Sequence, residues 1–195
     1  MMNEYETIKK DNKILRIFYD EDSESPREFM DNFGVMVYSH RNYKLGDEEL
    51  NTENFNGWEE IKEYLIKEKK AVCVLPLFLY DHSGITIKTT PFGCRWDSGQ
   101  VGFIYTTEEK IKEFGIKEKN IKDFLEGEVK TFDEYIKGEV YGYTLTEEIK
   151  VKITREYEDG RKETTETIEE KDLDSCWNYW GEEGLKQIKE ECGFE

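Results

Sequence analysis

The chain has 195 residues, a length that fits one domain, and its formal net charge is −17. This charge disfavours direct binding to nucleic acid or to anionic membranes, because both need clustered Lys and Arg. Only 36% of the residues are hydrophobic, but 14% are aromatic, and these large side chains can build a core, so we expect a folded protein.

The charge is unevenly distributed along the chain. Residues 1–60 carry 15 acidic and 7 basic side chains, residues 61–106 carry 4 and 6, and residues 107–195 carry 26 and 15. Two acidic segments therefore flank a nearly neutral one. Such a charge is most simply explained as solubilising. The functional interpretation is a basic protein partner, such as a nucleic-acid-binding protein whose groove an acidic surface would occupy.

The first half of the chain predicts three strands and two helices. Ser25 followed by Pro26 indicates an N-cap with proline at the first helical position, and Gly34 would end that short helix. The apolar run at 71–81 has the length of a central strand covered on both faces, with an irregularity at Pro76, which lacks a ladder donor. The other strands span 13–22 and 35–40, and the longer helix spans 56–70.

The second half predicts strands at 85–90 and 99–107. A helix opens after Thr107 and ends at Gly115, and a longer one spans 118–138, with Gly127 as a potential break. The sequence "EEGLKQIKEECG" closes the chain as an amphipathic helix. Strands and helices mix without regular βαβ alternation. The pattern predicts one α+β domain, residues 1–195, with three to four helices packed on a mainly antiparallel sheet.

A long β-hairpin is predicted around Asp159-Gly160, a pair that suits a two-residue turn. Such a turn places Val151 opposite Ile168, Arg155 opposite Thr164, Lys150 opposite Glu169 and Glu156 opposite Glu163. Because the segment 144–173 is too polar for a core, we expect it to project as an arm. Its acidic side chains are the candidate partner-binding residues, namely Glu156, Glu158, Asp159, Glu163, Glu166 and Glu169.

Three segments together resemble a known family. They are "SPREFMDNFGVMVYSHRNYKLGD" (25–47), "LPLFLYDHSGITIKTTPFGCRWDSGQVGFIY" (75–105), and "VYGY" (140–143) with "DSCWNYWG" (174–181). They are similar to small accessory proteins of bacteriophages, prophages and other mobile elements. In that family a short connection joins "VYG" to "DSCW", whereas here residues 144–173 intervene. The resemblance implies a mobile-element accessory protein in the host cytoplasm, and the inserted hairpin would set partner choice.

The stretch "YDHSGITIKTTPFGCRWDSGQ" (80–100) holds the weak catalytic candidates. His82 could act as a base, with Asp97 or Asp81 as its orienting group and Cys94, Ser98 or Cys176 as a nucleophile. No G-x-S-x-G motif is present. Asp-His-Ser-Gly is also good turn chemistry between two strands. We therefore favour a turn, and keep a hydrolytic site around His82, Asp97 and Cys176 as the alternative.

A metal site is a second weak possibility. His40, His82, Asp81 and Asp174 are its main candidates, with Asp31, Asp47 and Asp97 as further carboxylates, but none has the close spacing of known metal motifs. The cysteines at 73, 94, 176 and 192 lack zinc-like spacing, so free thiols and no cofactor are expected. Trp96 is expected to be buried in a turn, and Trp177 and Trp180 to be core residues beside Cys176.

These observations favour an interaction protein over an enzyme. The leading hypothesis is a non-enzymatic, acidic phage protein that binds and inhibits a host protein of a nucleic-acid-handling defence system. Inhibitors of the anti-CRISPR or anti-restriction type, including DNA mimics, have this character. The chain shows no apolar run of membrane-spanning length and no signal peptide, which agrees with a cytoplasmic location.

Overall fold

A computed structural model describes residues 2–194, and its contacts divide the chain into two compact units. Unit 1 combines the two ends of the chain, up to Ser23 and from Gly138 onward, and unit 2 spans Glu24–Lys137. The predicted α+β class with mainly antiparallel strands is confirmed. The strands between residues 2 and 194 form two sheets, however, where one was expected. Whether the two units act as one folding domain stays a prediction.

Each unit contains one sheet. The strands are β1 (Glu4–Lys10), β2 (Lys13–Tyr19), β3 (Val35–Tyr38), β4 (Glu48–Glu49), β5 (Ala71–Asp81), β6 (Ile85–Lys88), β7 (Ser98–Thr107), β8 (Val140–Glu156) and β9 (Lys162–Trp180). In unit 1 they are ordered β1-β2-β8-β9, and in unit 2 β4-β3-β7-β5-β6. Neighbouring strands run antiparallel except for the short β3–β4 pair.

The described residues 2–194 form five α-helices, one for each of the five helical segments that the sequence predicts. They are α1 (Pro26–Phe29), α2 (Trp58–Lys67), α3 (Glu108–Phe114), α4 (Ile121–Ile136) and α5 (Gly181–Cys192). The predicted caps of α1 and α3 are confirmed: the Ser25 and Thr107 side chains each accept a backbone hydrogen bond, and Gly115 ends α3 in the left-handed conformation. One expectation was wrong, because helix α1 ends well before Gly34. Helix α4 continues through Gly127, so the potential break there is not formed. No helix within residues 2–194 is long and apolar enough to cross a membrane.

The sheet of unit 2 is covered on both faces. Helix α4 packs on one face through residues such as Leu125 and Phe132, and α2 packs on the other through Ile61 and Leu65. Strand β7 is the best-buried strand, since its residues from 101 to 106 are all buried. Strand β5 lies inside the sheet as predicted, but is only partly buried. Its register shifts beside Pro76, at Leu77/Phe78, which agrees with the expected irregularity.

The sheet of unit 1 has its core on one face. Alternate residues of β8, namely Tyr141, Tyr143 and Leu145, pack with Ile188 and Cys192 of α5. Strand β1, which the sequence did not predict, pairs with β2 along almost its whole length. The long strands β8 and β9 extend well past β1 and β2. The pairing of β2 with β8 ends at Glu147, whereas β8 itself continues to Glu156.

The β8–β9 hairpin projects as predicted, but its register is different. Tyr157 pairs with Arg161 through a 2.9 Å backbone hydrogen bond, so the loop has three residues, with Gly160 at φ 82°. Such a loop is a type I turn followed by a left-handed glycine. The expected pairs are therefore wrong by one residue. Lys150 lies opposite Ile168, Val151 opposite Thr167, Arg155 opposite Glu163 and Glu156 opposite Lys162.

The free part of this hairpin is shorter than the predicted 144–173. Residues up to Glu148 still belong to the four-stranded sheet, where the Glu148 amide donates to the Asn12 carbonyl at 2.7 Å. Beyond it, β8 pairs only with β9. We call residues 149–169 the arm and the rest of unit 1 its body.

Candidate functional site

A cleft of about 470 Å³ lies at the end of the unit 1 sheet opposite the arm. It opens where β2 ends and the chain continues as Asp20-Glu21-Asp22. Its walls are Met2, Asn3, Tyr19, Asp20, Glu21, Asp22 and Trp177. None of these side chains is positively charged. The cleft therefore combines three carboxylates with two large aromatic faces.

The acidic loop is tied to its neighbouring strands through the backbone. The amide of Asp20 donates to the carbonyl of Val140 at 2.8 Å, and the amide of Tyr19 donates to the carbonyl of Asn3 at 2.9 Å. The Asn3 side chain also donates to Glu21 at 3.3 Å. These bonds fix the start of the acidic loop and the carboxylate of Glu21 beside the cleft.

A β-bulge positions Trp177. Tyr141 pairs with Tyr179 and Tyr143 pairs with Cys176, so Trp177 and Asn178 together lie opposite the single residue Gly142. Asn178 has a positive φ of 68°, which bends the strand locally. The indole ring then lies directly against Gly142, where any side chain would overlap it. The glycine is therefore required for this placement of the ring.

Tyrosines support the same end of the sheet. The rings of Tyr5, Tyr19 and Tyr141 have centroids 5.0–5.5 Å apart, and Phe18 lies 6.3 Å from Trp177. Tyr19 and Trp177 are half-buried, so each keeps a solvent-facing part. Carboxylates beside exposed aromatic faces suit a guanidinium or an ammonium group, through ion pairs and cation–π contacts.

The negative charge of unit 1 resides in its body. The arm carries six acidic and five basic residues, whereas the rest of unit 1 carries 17 acidic and seven basic residues, a net charge of −10. Charge alone thus separates the acidic body from a nearly neutral arm. The acidic residues predicted to bind a partner therefore lie in the nearly neutral arm, whereas most of the negative charge of unit 1 lies in its body.

Most of those arm residues have partners within the arm. Glu156 pairs with Lys162 at 3.2 Å, Glu166 pairs with Lys152 at 2.8 Å, and Asp159 pairs with Arg161 at 2.6 Å. Glu163 accepts a 2.8 Å hydrogen bond from the Tyr157 hydroxyl. Glu158 and Glu169 are exposed. That these residues contact a partner stays a prediction, but cross-strand pairing compensates much of their charge.

One face of the arm carries a row of apolar side chains from β8. Ile149, Val151 and Ile153 alternate on the face that α5 covers further down β8, and Glu169, Thr167 and Thr165 lie opposite them in turn. Ile153 is 42% exposed, and Ile168, on the other face opposite Lys150, is 67% exposed. Both faces of the arm therefore mix exposed apolar side chains with charged ones.

A clamp lies in the body at the base of the arm. Arg16 of β2 donates to both carboxylate oxygens of Glu170 at 2.7 Å, and the Thr146 hydroxyl donates to the same group at 3.0 Å. These hydrogen bonds lower the pKa of Glu170 to about 2. The deprotonated carboxylate of Glu170 is therefore the form that accepts these hydrogen bonds, at the point where the arm leaves the sheet.

The weak catalytic candidates meet in part within unit 2. His82 Nδ1 lies 3.6 Å from Asp97 Oδ2, and Cys94 Sγ lies 3.5 Å from the same oxygen. The Asp97 carboxylate thus lies between the imidazole and the thiol. A histidine that activates a thiol must itself contact the sulfur. The His82 side chain is also 63% exposed. Cys176 belongs to unit 1. This arrangement does not have the order of a catalytic triad.

The metal candidates have other contacts. The His40 ring stacks on Tyr43 with centroids 4.9 Å apart, and a hydrogen bond to Asp81 raises the pKa of Tyr43. Asp174, in unit 1, accepts a 2.7 Å hydrogen bond from the Tyr143 hydroxyl. Within residues 2–194, no group of three or more His, Cys, Asp or Glu side chains is arranged to hold a metal ion, and the four cysteines are unpaired.

Two tryptophan expectations need correction. Trp96 is 95% exposed rather than buried in its turn. Trp177 and Trp180 are only half-buried, and Cys176 is exposed, so they are not core residues. The turn at 81–84 is as expected: Ser83 has φ 60°, and the His82 amide donates to the Gly84 carbonyl at 3.0 Å.

Sequence reasoning missed the residues that shape the cleft. It placed "VYGY" and "DSCWNYWG" in one motif but gave no reason for their association. The structure supplies one, because Gly142 of the first segment accommodates Trp177 of the second. The acidic run at Asp20–Asp22 was a visible signal, but only the fold brings it next to an aromatic wall.

Comparison of the chain with protein-family models, with curated proteins and with solved structures finds no match to any of them.

Proposed function

We propose that this protein is a non-enzymatic interaction protein of a phage or other mobile element, which binds and inhibits a basic, nucleic-acid-handling host protein. The observation that carries the proposal is the net charge of −10 on the body of unit 1, beside a cleft with an aromatic wall. An enzyme that binds nucleic acid presents clustered Lys and Arg, which such a surface would attract and cover.

The cleft would give this attraction a specific anchor. Arginine is enriched among the residues that dominate binding energy at interfaces, and its planar group binds carboxylates and stacks on aromatic rings at the same time. Asp20, Glu21 and Asp22 supply carboxylates, and Trp177 supplies the ring. We expect an arginine of the partner to enter between them.

The class of target comes from two considerations. The resemblance to mobile-element accessory proteins favours a host defence protein, and the acidic body favours one with a basic nucleic-acid groove. Restriction enzymes and CRISPR effectors combine both properties. In a DNA-mimic mode the body would occupy the groove, because the arm is nearly neutral, and the arm would then select among partners through its exposed apolar and charged side chains.

A nuclease inhibition assay tests the proposal. A panel of purified restriction endonucleases and CRISPR effector nucleases is assayed for DNA cleavage against increasing concentrations of the protein, at low and at high salt. We expect inhibition of at least one enzyme, weaker at high salt because exposed charges are screened. The variant D20N/E21Q/D22N should raise the half-inhibitory concentration by about tenfold or more.

The matched control removes the same number of negative charges from the arm. The variant E156Q/E163Q/E166Q should change the half-inhibitory concentration by less than about threefold, because these groups have partners within the arm. Equal effects of both triple variants would refute the role of the cleft. Absence of inhibition across the panel would refute the target class.

A further inference from the structure

A second cavity lies entirely within unit 2, between α1, the end of α3 and one face of α4. Its volume is about 480 Å³. Its apolar lining includes Met30, Phe33, Phe114 and Phe124. Phe33 is buried beneath the others, with ring centroids 5.7 Å from Phe114 and 6.1 Å from Phe124. Those two rings and Met30 remain between 36% and 48% exposed, so an aromatic groove faces solvent.

A buried clamp makes the floor of this groove rigid. The Arg27 side chain, 3% exposed, donates to Asp47 at 2.9 Å, to Glu128 at 2.9 Å and to the Gly34 carbonyl at 2.6 Å. Glu128 in turn accepts the backbone amide of Phe33 at 2.5 Å. Helices α1 and α4 are therefore held at a fixed separation, and the groove is formed before any ligand arrives.

Gly127 provides the decisive observation. It lies in the middle of α4, where glycine is less favourable than alanine by about 1 kcal/mol. Nothing lies within 4 Å of the position that its Cβ would take, so no close packing explains it. Gly127 also lines the groove. A glycine with no packing role at this position leaves the helix backbone open to close approach by a ligand.

The rim of the groove is negatively charged. Asp31 and Asp123 are exposed there, and none of the lining residues is basic. Glu128, the third carboxylate, is compensated by Arg27. A Lys side chain already lies over one of the aromatic rings, since Lys110 Nζ is 5.3 Å from the centroid of Phe114. Apolar walls with an acidic rim match a ligand that is both apolar and cationic.

We infer that this groove binds a peptide segment that carries a large apolar or aromatic side chain next to Arg or Lys. The apolar side chain would lie between Phe114 and Phe124, against the backbone of Gly127. The basic neighbours would face Asp31 and Asp123. The inference goes beyond the proposed function, because it concerns a separate site in the other unit and requires no identified partner.

Two short peptides of opposite charge test it. ¹⁵N-labelled full-length protein is titrated with Ac-Arg-Trp-Arg-NH₂ and with Ac-Glu-Trp-Glu-NH₂ in two-dimensional NMR. We expect saturable shifts of the amides of Phe124, Gly127 and Asp31 with the basic peptide, and binding at least tenfold weaker with the acidic one. The variant D31N/D123N should bring the two affinities to within about threefold of each other.

Filling the groove separates binding from folding. Gly127→Leu adds a side chain into open space and improves helix propensity, so the variant should keep or raise its melting temperature and lose at least tenfold in affinity. Gly93→Leu is the matched control, because Gly93 also has open space around its Cβ position but does not line the groove.

Four results would overturn the inference. The first is the absence of saturable shifts with the basic peptide, and the second is shifts confined to residues outside the groove. The third is unchanged affinity of Gly127→Leu, and the fourth is equal binding of both peptides to the unmodified protein.

Discussion

The indole ring of Trp177 lies against the α-carbon of Gly142, so closely that any side chain at position 142 would overlap it. The contact joins β8 to a bulge in β9. It places Trp177 at the wall of the acidic cleft. One missing side chain thus decides where an aromatic group of the candidate binding site lies.

Gly142→Ala should displace the indole ring and destabilise unit 1. The added methyl group has no room, and overpacking of this kind costs about 1–3 kcal/mol. Urea unfolding followed by tryptophan fluorescence measures the loss, together with a changed emission maximum of the folded state. Gly99→Ala, whose Cβ position is open, should leave both quantities unchanged. An unaltered urea midpoint for Gly142→Ala would show that Trp177 moves freely.

Whether unit 1 still folds after deletion of the arm should depend on which residues are removed. Replacing residues 149–169 by Asn-Gly should preserve the fold, because β2 pairs with β8 only up to Glu147. Removing residues 144–173 should unfold unit 1, since it takes away part of β8 and the Glu170 clamp. Far-UV circular dichroism and thermal melts compare the two. A folded protein after the longer deletion would contradict the described sheet.

Glu170 should contribute stability only above acidic pH. Its pKa is about 2 in the folded protein and near 4.5 when unfolded, so its stabilising ion pair is complete above about pH 4.5 and is lost as the pH falls towards 2. The urea midpoint of Glu170→Gln should therefore lie below that of the unmodified protein at neutral pH, and approach it near pH 2. Glu169→Gln, at an exposed neighbouring position, should not show this convergence.

The ion pairs of Arg27 should contribute far more to the free energy of unfolding than an exposed ion pair near the same helix. Arg27→Met leaves Asp47 and Glu128 without their cation in a poorly solvated place, which costs about 3–5 kcal/mol. Lys44→Met breaks the exposed pair with Glu28 and should have little effect. Chemical denaturation measures both. Similar losses for the two variants would mean that the Arg27 network is not buried in solution.

The contact between His82 and Asp97 should be dispensable for nuclease inhibition. Both side chains are partly exposed, and the carboxylate separates the imidazole from the thiol of Cys94. His82→Ala and Asp97→Asn should leave the half-inhibitory concentration unchanged in the nuclease assay. A complete loss of inhibition by either variant would instead support the alternative of a small hydrolytic enzyme.

The sequence alone determined features that depend on neighbouring residues. Ser25 before Pro26 predicted the start of α1, and Thr107 with Gly115 predicted both ends of α3, because caps are made by side chains and backbone within one turn. Alternation and apolar runs located most strands. The polarity of residues 144–173 predicted a projecting hairpin, since such a segment cannot fill a core.

Tertiary structure decided which distant residues meet. The hairpin register depends on a three-residue loop, which places Glu156 opposite Lys162 rather than opposite Glu163. The contact of Arg27 with Glu128 spans 101 residues, and that of Gly142 with Trp177 depends on a bulge. Local patterns carry no information about such contacts, because packing within each unit selects them. Those contacts, and not the acidic pattern itself, create the cleft and the groove.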